Sequence, residues 1–282
     1  MAVEPSPGRL YVVSTPIGNL GDFSFRAVEM LKSVALILAE DTRHSRPLLD
    51  RYGITTKVMS HHEHNEARTT AQVVERLVAG EDIALISDAG TPLLSDPGQR
   101  LTAAAIAAGV TVVPVPGASA LLAGLVASGL PAEPFTFFGF LPRKGRERSE
   151  LLDAIASSPH TAVLYEAPGR VADSLRELID RGAGDRQAVV ARELTKLHEE
   201  LRRGTLESLC AYYSESPPRG EVVIVIAGGQ AAEPDESALR AEARALRARG
   251  VSVRDVAAAL AKQGAPRNLA YRIARSTEDE NG

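Results

Sequence analysis

Four short segments of the sequence hold residue types in spacings that chemistry can use. Three are dense in glycine and proline: Thr15-Pro16-Ile17-Gly18-Asn19, Ser87-Asp88-Ala89-Gly90-Thr91-Pro92-Leu93-Leu94-Ser95-Asp96-Pro97-Gly98, and Pro114-Val115-Pro116-Gly117-Ala118-Ser119-Ala120. The fourth is Ala39-Glu40-Asp41-Thr42-Arg43. Glycine lets the backbone bend tightly and approach a ligand closely, so amides in such loops bind a carboxylate or a purine edge. Each segment ends an apolar, strand-like run. In parallel sheets, ligands sit beyond the carboxyl ends of the strands. Ordinary turns use the same residues, but three such loops in register at one sheet edge point to a small-molecule cleft.

Other chemistries are missing their residues. No G-x-x-x-x-G-K-[ST] occurs, no G-x-G-x-x-G follows the first strand, and no G-x-S-x-G is present. These absences argue against a P-loop nucleotidase, the usual dinucleotide fold and a nucleophile-elbow hydrolase. His61, His62 and His64 lie too close together to converge on one ion, because zinc sites gather ligands from separated, rigid positions. No metal is therefore expected, and these histidines are read as local hydrogen-bonding or substrate-contact residues. The single cysteine, Cys210, excludes a disulfide within the chain and a cysteine-rich zinc site. It fits a reducing, cytoplasmic setting.

The elements that must position these loops alternate. Leu10–Ser14, Ala35–Ala39, Ile83–Ser87 and Val110–Val115 read as buried strands, separated by helical patterns at Phe25–Lys32, Glu66–Ala79 and Gly98–Ala108. Continuous apolar strands between helices imply a parallel sheet covered on both faces. SGLPAEP, at Ser128–Pro134, breaks the pattern and marks a boundary. Beyond it, Phe135–Phe140, Thr161–Glu166, Gln187–Arg192 and Glu221–Gly228 read as strands of a second α/β domain with a more mixed sheet. Its helical patterns fall at Glu147–Ala156 and Val171–Arg181. The expected division is 1–130, 131–229, and 230–282 for a linker and a small helical domain.

The chain has 282 residues, 44% of them hydrophobic and 24% charged, with a net charge of −4. That composition suits about two domains with buried cores and excludes wholesale disorder. No apolar run reaches the ~20 residues of a membrane span. The charge is partitioned. After the small polar segment GGQAAEPDES, helical patterns at Ala238–Arg249, Val253–Lys262 and Asn268–Arg275 follow. Between Arg240 and Arg275 the cations are Arg240, Arg244, Arg247, Arg249, Arg254, Lys262, Arg267, Arg272 and Arg275, against Glu242 and Asp255. Two helices joined by the QGAP turn resemble a helix-turn-helix, so this basic segment is expected to contact nucleic acid. Arg143, Lys144, Arg146 and Arg148 form a second basic cluster against Glu147 alone, and RNA contact is expected there too. A solvated surface is the competing reading of both.

STPIGNLGD, AEDTRHS, HEHNE, SDAGTPLLSDPG, VPVPGASA, FFGFLPRK, YEAPGR and ARELTKLHEE occur in that order across about Arg9–Gly228. Together they closely resemble the bacterial 16S rRNA (cytidine-2′-O)-methyltransferases of the tetrapyrrole methylase superfamily. The resemblance implies two α/β domains with a cofactor cleft between them and a small C-terminal helical domain. It also implies S-adenosylmethionine as methyl donor, the ribose of cytidine 1402 in 16S rRNA or the 30S subunit as acceptor, and a homodimer. Donor-binding positions carried over are Thr15, Pro16, Ile17, Asp88, Ala89, Gly90, Leu93, Leu94, Ser119, Ala120, Tyr165, Leu194 and Val222. Many tetrapyrrole enzymes read G-D-P where this chain has Gly90-Thr91-Pro92, which matches the rRNA branch.

Methyl transfer to a ribose hydroxyl needs alignment of oxygen, methyl and sulfur, helped by a base or a cation. Glu166 and Glu193 are the candidate bases, and Lys196 or Arg192 the candidate cations. Structural ion pairing is the competing reading. A small-molecule tetrapyrrole methylase and a non-catalytic ribosome-assembly factor are the alternative functions. The basic segments argue against the first and the intact donor loops against the second.

Overall fold

The computed structural model describes residues 6–229, 236–262 and 265–279. They fall into two compact units, residues 1–227 and 228–282.

The first unit begins with the parallel sheet. Strands β1 (Arg9–Val13), β2 (Leu36–Ala39), β3 (Val58–Ser60), β4 (Ile83–Ile86) and β5 (Thr111–Val115) lie in the order β3-β2-β4-β1-β5. Every pairing in it is parallel. Side chains alternate between two cores, as a two-residue period requires. Val13, Ile37, Ala39 and Ile86 pack with Ala27 and Leu31 of α1 (Phe25–Ser33) and with Leu48 of α2 (Thr42–Arg51). Leu10, Leu36, Leu38 and Leu85 pack on the other face, with Val73 and Leu77 of α3 (Glu63–Val78) and Leu101 of α4 (Gln99–Ala107). Two buried faces explain why the central strands β2 and β4 are apolar and buried at every position.

Helix α5 (Ala120–Ser128) follows, and residues 129–134 lead into the second sheet. There β6 (Phe135–Phe140), β7 (Thr161–Glu166), β8 (Gln187–Arg192), β9 (Glu200–Thr205) and β10 (Val222–Ile226) take the order β6-β7-β10-β8-β9. Only β6 and β7 pair in parallel, so this sheet is mixed, as the sequence suggested. Leu164, Val190 and Ile224 face α6 (Arg146–Ser157), α7 (Val171–Leu178) and α8 (Leu206–Glu215). Val163, Val189, Val223 and Val225 face α5 and Ile17. Gly124 makes that contact close: a Cβ there would lie 2.9 Å from Val223 Cγ1.

Helices α2 and α8 and strand β9 are additional to the expected elements. Helix α5 is apolar around most of its circumference, with Leu121 and Leu125 packed against the second sheet and Leu122 and Val126 exposed, so it lacks the amphipathic period that marks a surface helix. Strand β9 reads ELRRGT and takes its place by pairing with β8 at the sheet edge. Helix α3 starts at Glu63, three residues earlier than expected, so His64 is helical.

The second unit is three helices, α9 (Glu236–Ala248), α10 (Val253–Lys262) and α11 (Arg267–Asp279). Leu239, Ala243, Val256, Leu260, Ala270 and Ile273 form its own core. The segment 230–235 and part of the QGAP turn lie outside the described residues.

Candidate active site

Hydrogen bonds stitch the glycine- and proline-rich loops together. Thr15 N donates to Gly90 O at 2.8 Å and Gly90 N donates to Thr15 O at 3.1 Å. The Thr15 hydroxyl, itself buried, donates to Ser87 O at 3.1 Å. Thr91 Oγ1 donates to Ala118 O at 3.2 Å and lies 3.1 Å from Ser14 Oγ, tying in the loop after β5. The loop after β2 joins through Asp41 N, which donates to Asp88 Oδ1 at 3.1 Å. Gly90 has φ +82, a left-handed conformation that favours glycine, and a Cβ there would lie 3.3 Å from Ile17 Cγ2.

These loops enclose two neighbouring cavities. The first, about 330 Å³, is lined by Ile17, Asp88, Ala89, Gly90, Leu94, Asp96, Ser119, Ala120, Phe140, Tyr165, Glu166, Val222 and Val223, among others. The second, about 440 Å³, is lined by Pro16, Gly18, Leu20, Arg43, His44, Pro47 and Lys196, among others. Ile17, Asp88, Ala89 and Glu221 line both and form the shared wall. Of the thirteen carried-over donor positions, Ile17, Asp88, Ala89, Gly90, Leu94, Ser119, Ala120, Tyr165 and Val222 meet at the first cavity. Pro16 lines the second. Thr15 supports the loops from beneath. Leu93 has φ +72 and packs against the core beside α3 and α4, and Leu194 is buried beside Leu121 and Val223.

The proposed acids and bases take different roles. Glu166 is 1% exposed and both of its oxygens are engaged. Oε1 accepts from Ala167 N at 2.8 Å and pairs with Arg170 Nη2 at 2.5 Å, while Oε2 accepts from Ser174 Oγ at 2.5 Å. Both oxygens are thus tied to neighbouring donors under the cavity wall, a structural arrangement. Glu193 Oε1 accepts from Lys196 Nζ at 2.8 Å and from Glu221 N at 3.1 Å. The Lys196 hydrogen bond holds the Glu193 carboxyl below its usual range, which weakens it as a base. Burial works against charge on Lys196, but hydrogen bonds to Glu193 and Glu221 raise its pKa, so it faces the second cavity as a cation. Arg192 pairs with Glu200 at 2.7 Å.

Arg148, expected at RNA, is buried instead. Its guanidinium donates to Glu177 Oε1 at 2.8 Å, Ser174 Oγ at 2.9 Å and Pro142 O at 3.0 Å. It shares a helix face with Leu152 and Ile155, four and seven positions on, and that helical spacing was the readable signal. Arg143, Lys144 and Arg146 are exposed, with Arg146 paired to Glu150 at 2.6 Å. In the second unit Arg254, Arg267 and Arg272 are exposed, and Arg272 lies 3.8 Å from Glu236. His61 is fully buried, with Nδ1 2.8 Å from Thr69 Oγ1, and burial lowers its pKa. Among the described residues no group of His, Cys, Asp or Glu is arranged to hold a metal.

Sequence reasoning missed Asp96. Burial, then the neighbouring Glu40 and Asp88 carboxylates, push its carboxyl up to about 7. Burial and Asp88 raise Glu40 in the same way. Nothing local in SDPG announces this, because Glu40 comes from another strand end.

Residues 9–210 match the Tetrapyrrole (Corrin/Porphyrin) Methylases. A protein of Synechocystis sp. named ribosomal RNA small subunit methyltransferase I is 46% identical over 96% of this chain and 99% of its own length. One of the same name from Pseudomonas aeruginosa is 47% identical over 95% of this chain and 97% of its own. Among solved structures, a diphthine synthase aligns with TM-score 0.63 at 17% identity, covering 78% of this chain and 90% of that one. A cobalt-precorrin-4 methyltransferase aligns with TM-score 0.60 at 18% identity, covering 78% and 94%. These two share the fold of two α/β sheets. The extent of both kinds of match places the chain in the tetrapyrrole methylase family, in its branch of ribosomal RNA small subunit methyltransferases I.

Proposed function

We propose that this protein transfers a methyl group from S-adenosylmethionine to the ribose 2′-hydroxyl of cytidine 1402 in 16S rRNA, presented as free rRNA or as the 30S subunit. The observation that carries the reading is the first cavity, where nine of the carried-over donor positions meet beside loops fixed by backbone hydrogen bonds. The names of the full-length relatives support rRNA as substrate over a tetrapyrrole.

The residues present fit such a donor. Ala89, Gly90 and Ala120 keep the cradle open, and a Cβ at Gly90 would crowd Ile17. Phe140, Tyr165, Leu94 and Val222 offer apolar surface for an adenine ring and a thioether, and Asp88 offers a carboxylate for a hydroxyl or ammonium. When bound, S-adenosylmethionine supplies an electrophilic sulfonium methyl. The second cavity suits the acceptor nucleotide. Lys196 and Arg43 provide cations for phosphate, Leu20 and Pro47 provide apolar surface for a base, and the shared wall at Asp88 faces both cavities. Fixing the two reactants on rigid loops lowers the barrier by removing orientational freedom.

The basic helical unit supplies RNA affinity in this reading, and the protein acts in the cytoplasm as a homodimer. Among the described residues no helix is long and apolar enough to cross a membrane. Leu122 and Val126 of α5 are 51% and 74% exposed, an apolar strip suited to twofold pairing. Light scattering at micromolar concentration is expected to give the dimer mass, and a monomer mass refutes this part of the reading.

Titration calorimetry with S-adenosylmethionine tests the reading itself: saturable heat supports it, and no heat with no thermal shift at saturating donor contradicts it. Truncation after Gly229 is expected to leave donor affinity intact and to weaken binding to 30S subunits. Loss of three phosphate contacts, at ~0.7–0.9 each, lowers the log–log salt slope by about 2–3. An unchanged slope with full methylation makes the helical unit a structural cap.

A further inference from the structure

Four carboxylates line the first cavity, and three are already committed. Glu166 is bound on both oxygens, Asp88 accepts from Asp41 N, and Glu221 Oε2 accepts from Lys196 Nζ at 3.2 Å. Among the described residues, the half-buried Asp96 carboxylate has no hydrogen-bond donor and no cation at ion-pair distance. It lines the first cavity and not the second, in the loop between β4 and α4 beside Asp88 of the shared wall, where an acceptor hydroxyl must cross from the second cavity to reach the donor's methyl. Resting on the methyl-transfer reading, we infer that Asp96 is the general base that takes the proton of the acceptor hydroxyl.

The step balances. The oxygen–hydrogen bond breaks as the oxygen–carbon bond forms, the proton ends on Asp96, and the electron pair of the carbon–sulfur bond stays on sulfur as a neutral thioether. Asp96 then returns its proton to water. The groups facing it suit the task. Glu40 at the end of β2 and Asp88 after β4 are carboxylates that make its anion more basic. The Tyr165 phenol on β7 has its own pKa raised by burial, so it stays neutral, and its oxygen accepts from Leu121 N at 3.2 Å. A base that titrates near the working pH combines an available anion with a useful affinity for the proton. Glu166 and Glu193, the bases expected from sequence, lack that freedom.

The test is Asp96→Asn in the full-length protein, assayed on 30S subunits lacking the ribose methyl. The expected result is kcat lower by about 100- to 10,000-fold, with donor affinity by calorimetry changed less than about tenfold. Wild-type kcat/KM should rise with pH to half its maximum near 7, and the residual rate of the variant should lose that inflection. A second readout needs no substrate. A carboxyl whose pKa is higher folded than unfolded loses stability as pH rises from about 4 to about 7. Asn escapes that loss, so the variant should melt higher than wild type at pH 8 and not at pH 5. Wild-type turnover by a folded Asp96→Asn variant, or the same inflection in both proteins, overturns the assignment while leaving methyl transfer standing. A wild-type protein that neither binds the donor nor methylates overturns the reading on which the assignment rests.

Discussion

Replacing Glu166 by alanine is expected to destabilise the fold by about 3–5 kcal/mol, measured by denaturant unfolding at pH 7. Its side chain is fully buried and pairs with Arg170 at 2.5 Å, and the buried Arg148 lies 3.9 Å away. Removing the carboxylate leaves Arg170 without its ion-pair partner, strips Ser174 of its acceptor, and leaves Arg148 with Glu177 as its remaining carboxylate partner among the described residues. Arg170 Nη1 already lacks a partner among the described residues, so the guanidinium would keep only the Nη2 bond to Leu141 O at 3.0 Å. The Arg170 side chain is 26% exposed, so water takes up part of its charge and the loss falls toward the lower end of what breaking a buried pair costs. Because Ala167 follows Glu166 directly in the cavity wall, the loss should also loosen the donor site. A change below ~1 kcal/mol with unaltered donor affinity would refute the structural role given to Glu166.

Gly90→Val is expected to weaken donor binding by roughly five- to hundredfold, the range that overpacking of 1–3 kcal/mol produces. The φ of +82 disfavours any β-branched residue, and a Cβ would press on Ile17 at 3.3 Å. The two backbone bonds to Thr15 hold Gly90 in place, so the added methyls have to project against Ile17 or toward the donor. Calorimetry on protein whose melting profile remains cooperative checks this. Unchanged affinity in that folded variant removes Gly90 from the donor site.

Residues whose signal is local were readable. The strands of the first sheet announce themselves by apolar continuity, and the loops after β1, β4 and β5 by glycine and proline. Their meeting at one cavity follows from parallel pairing, which puts every strand's carboxyl end on the same edge. What escaped depends on distant partners. Strand β9 is polar and exists by pairing with β8. Arg148 stands in a run of surface-type cations, yet α6 turns it inward to Ser174 and Glu177. Glu166 sits at a strand end facing the cleft, and only the fold shows that Arg170 and Ser174 have taken both oxygens. Asp96 is one acid among thirty-six in the sequence. Its distinction arises from burial beside Glu40 and Asp88, which no spacing encodes.

The proposed reaction is transfer of a methyl group to one ribose of 16S rRNA. It is tested most directly by incubating 30S subunits from cells lacking this protein with the purified chain and S-adenosylmethionine. Ribose methyls in the 16S rRNA are then mapped by mass spectrometry. The predicted result is one new methyl, on the 2′-oxygen of cytidine 1402, that appears only when the donor is present. No added methyl, or a methyl on a base in place of the ribose, would contradict it.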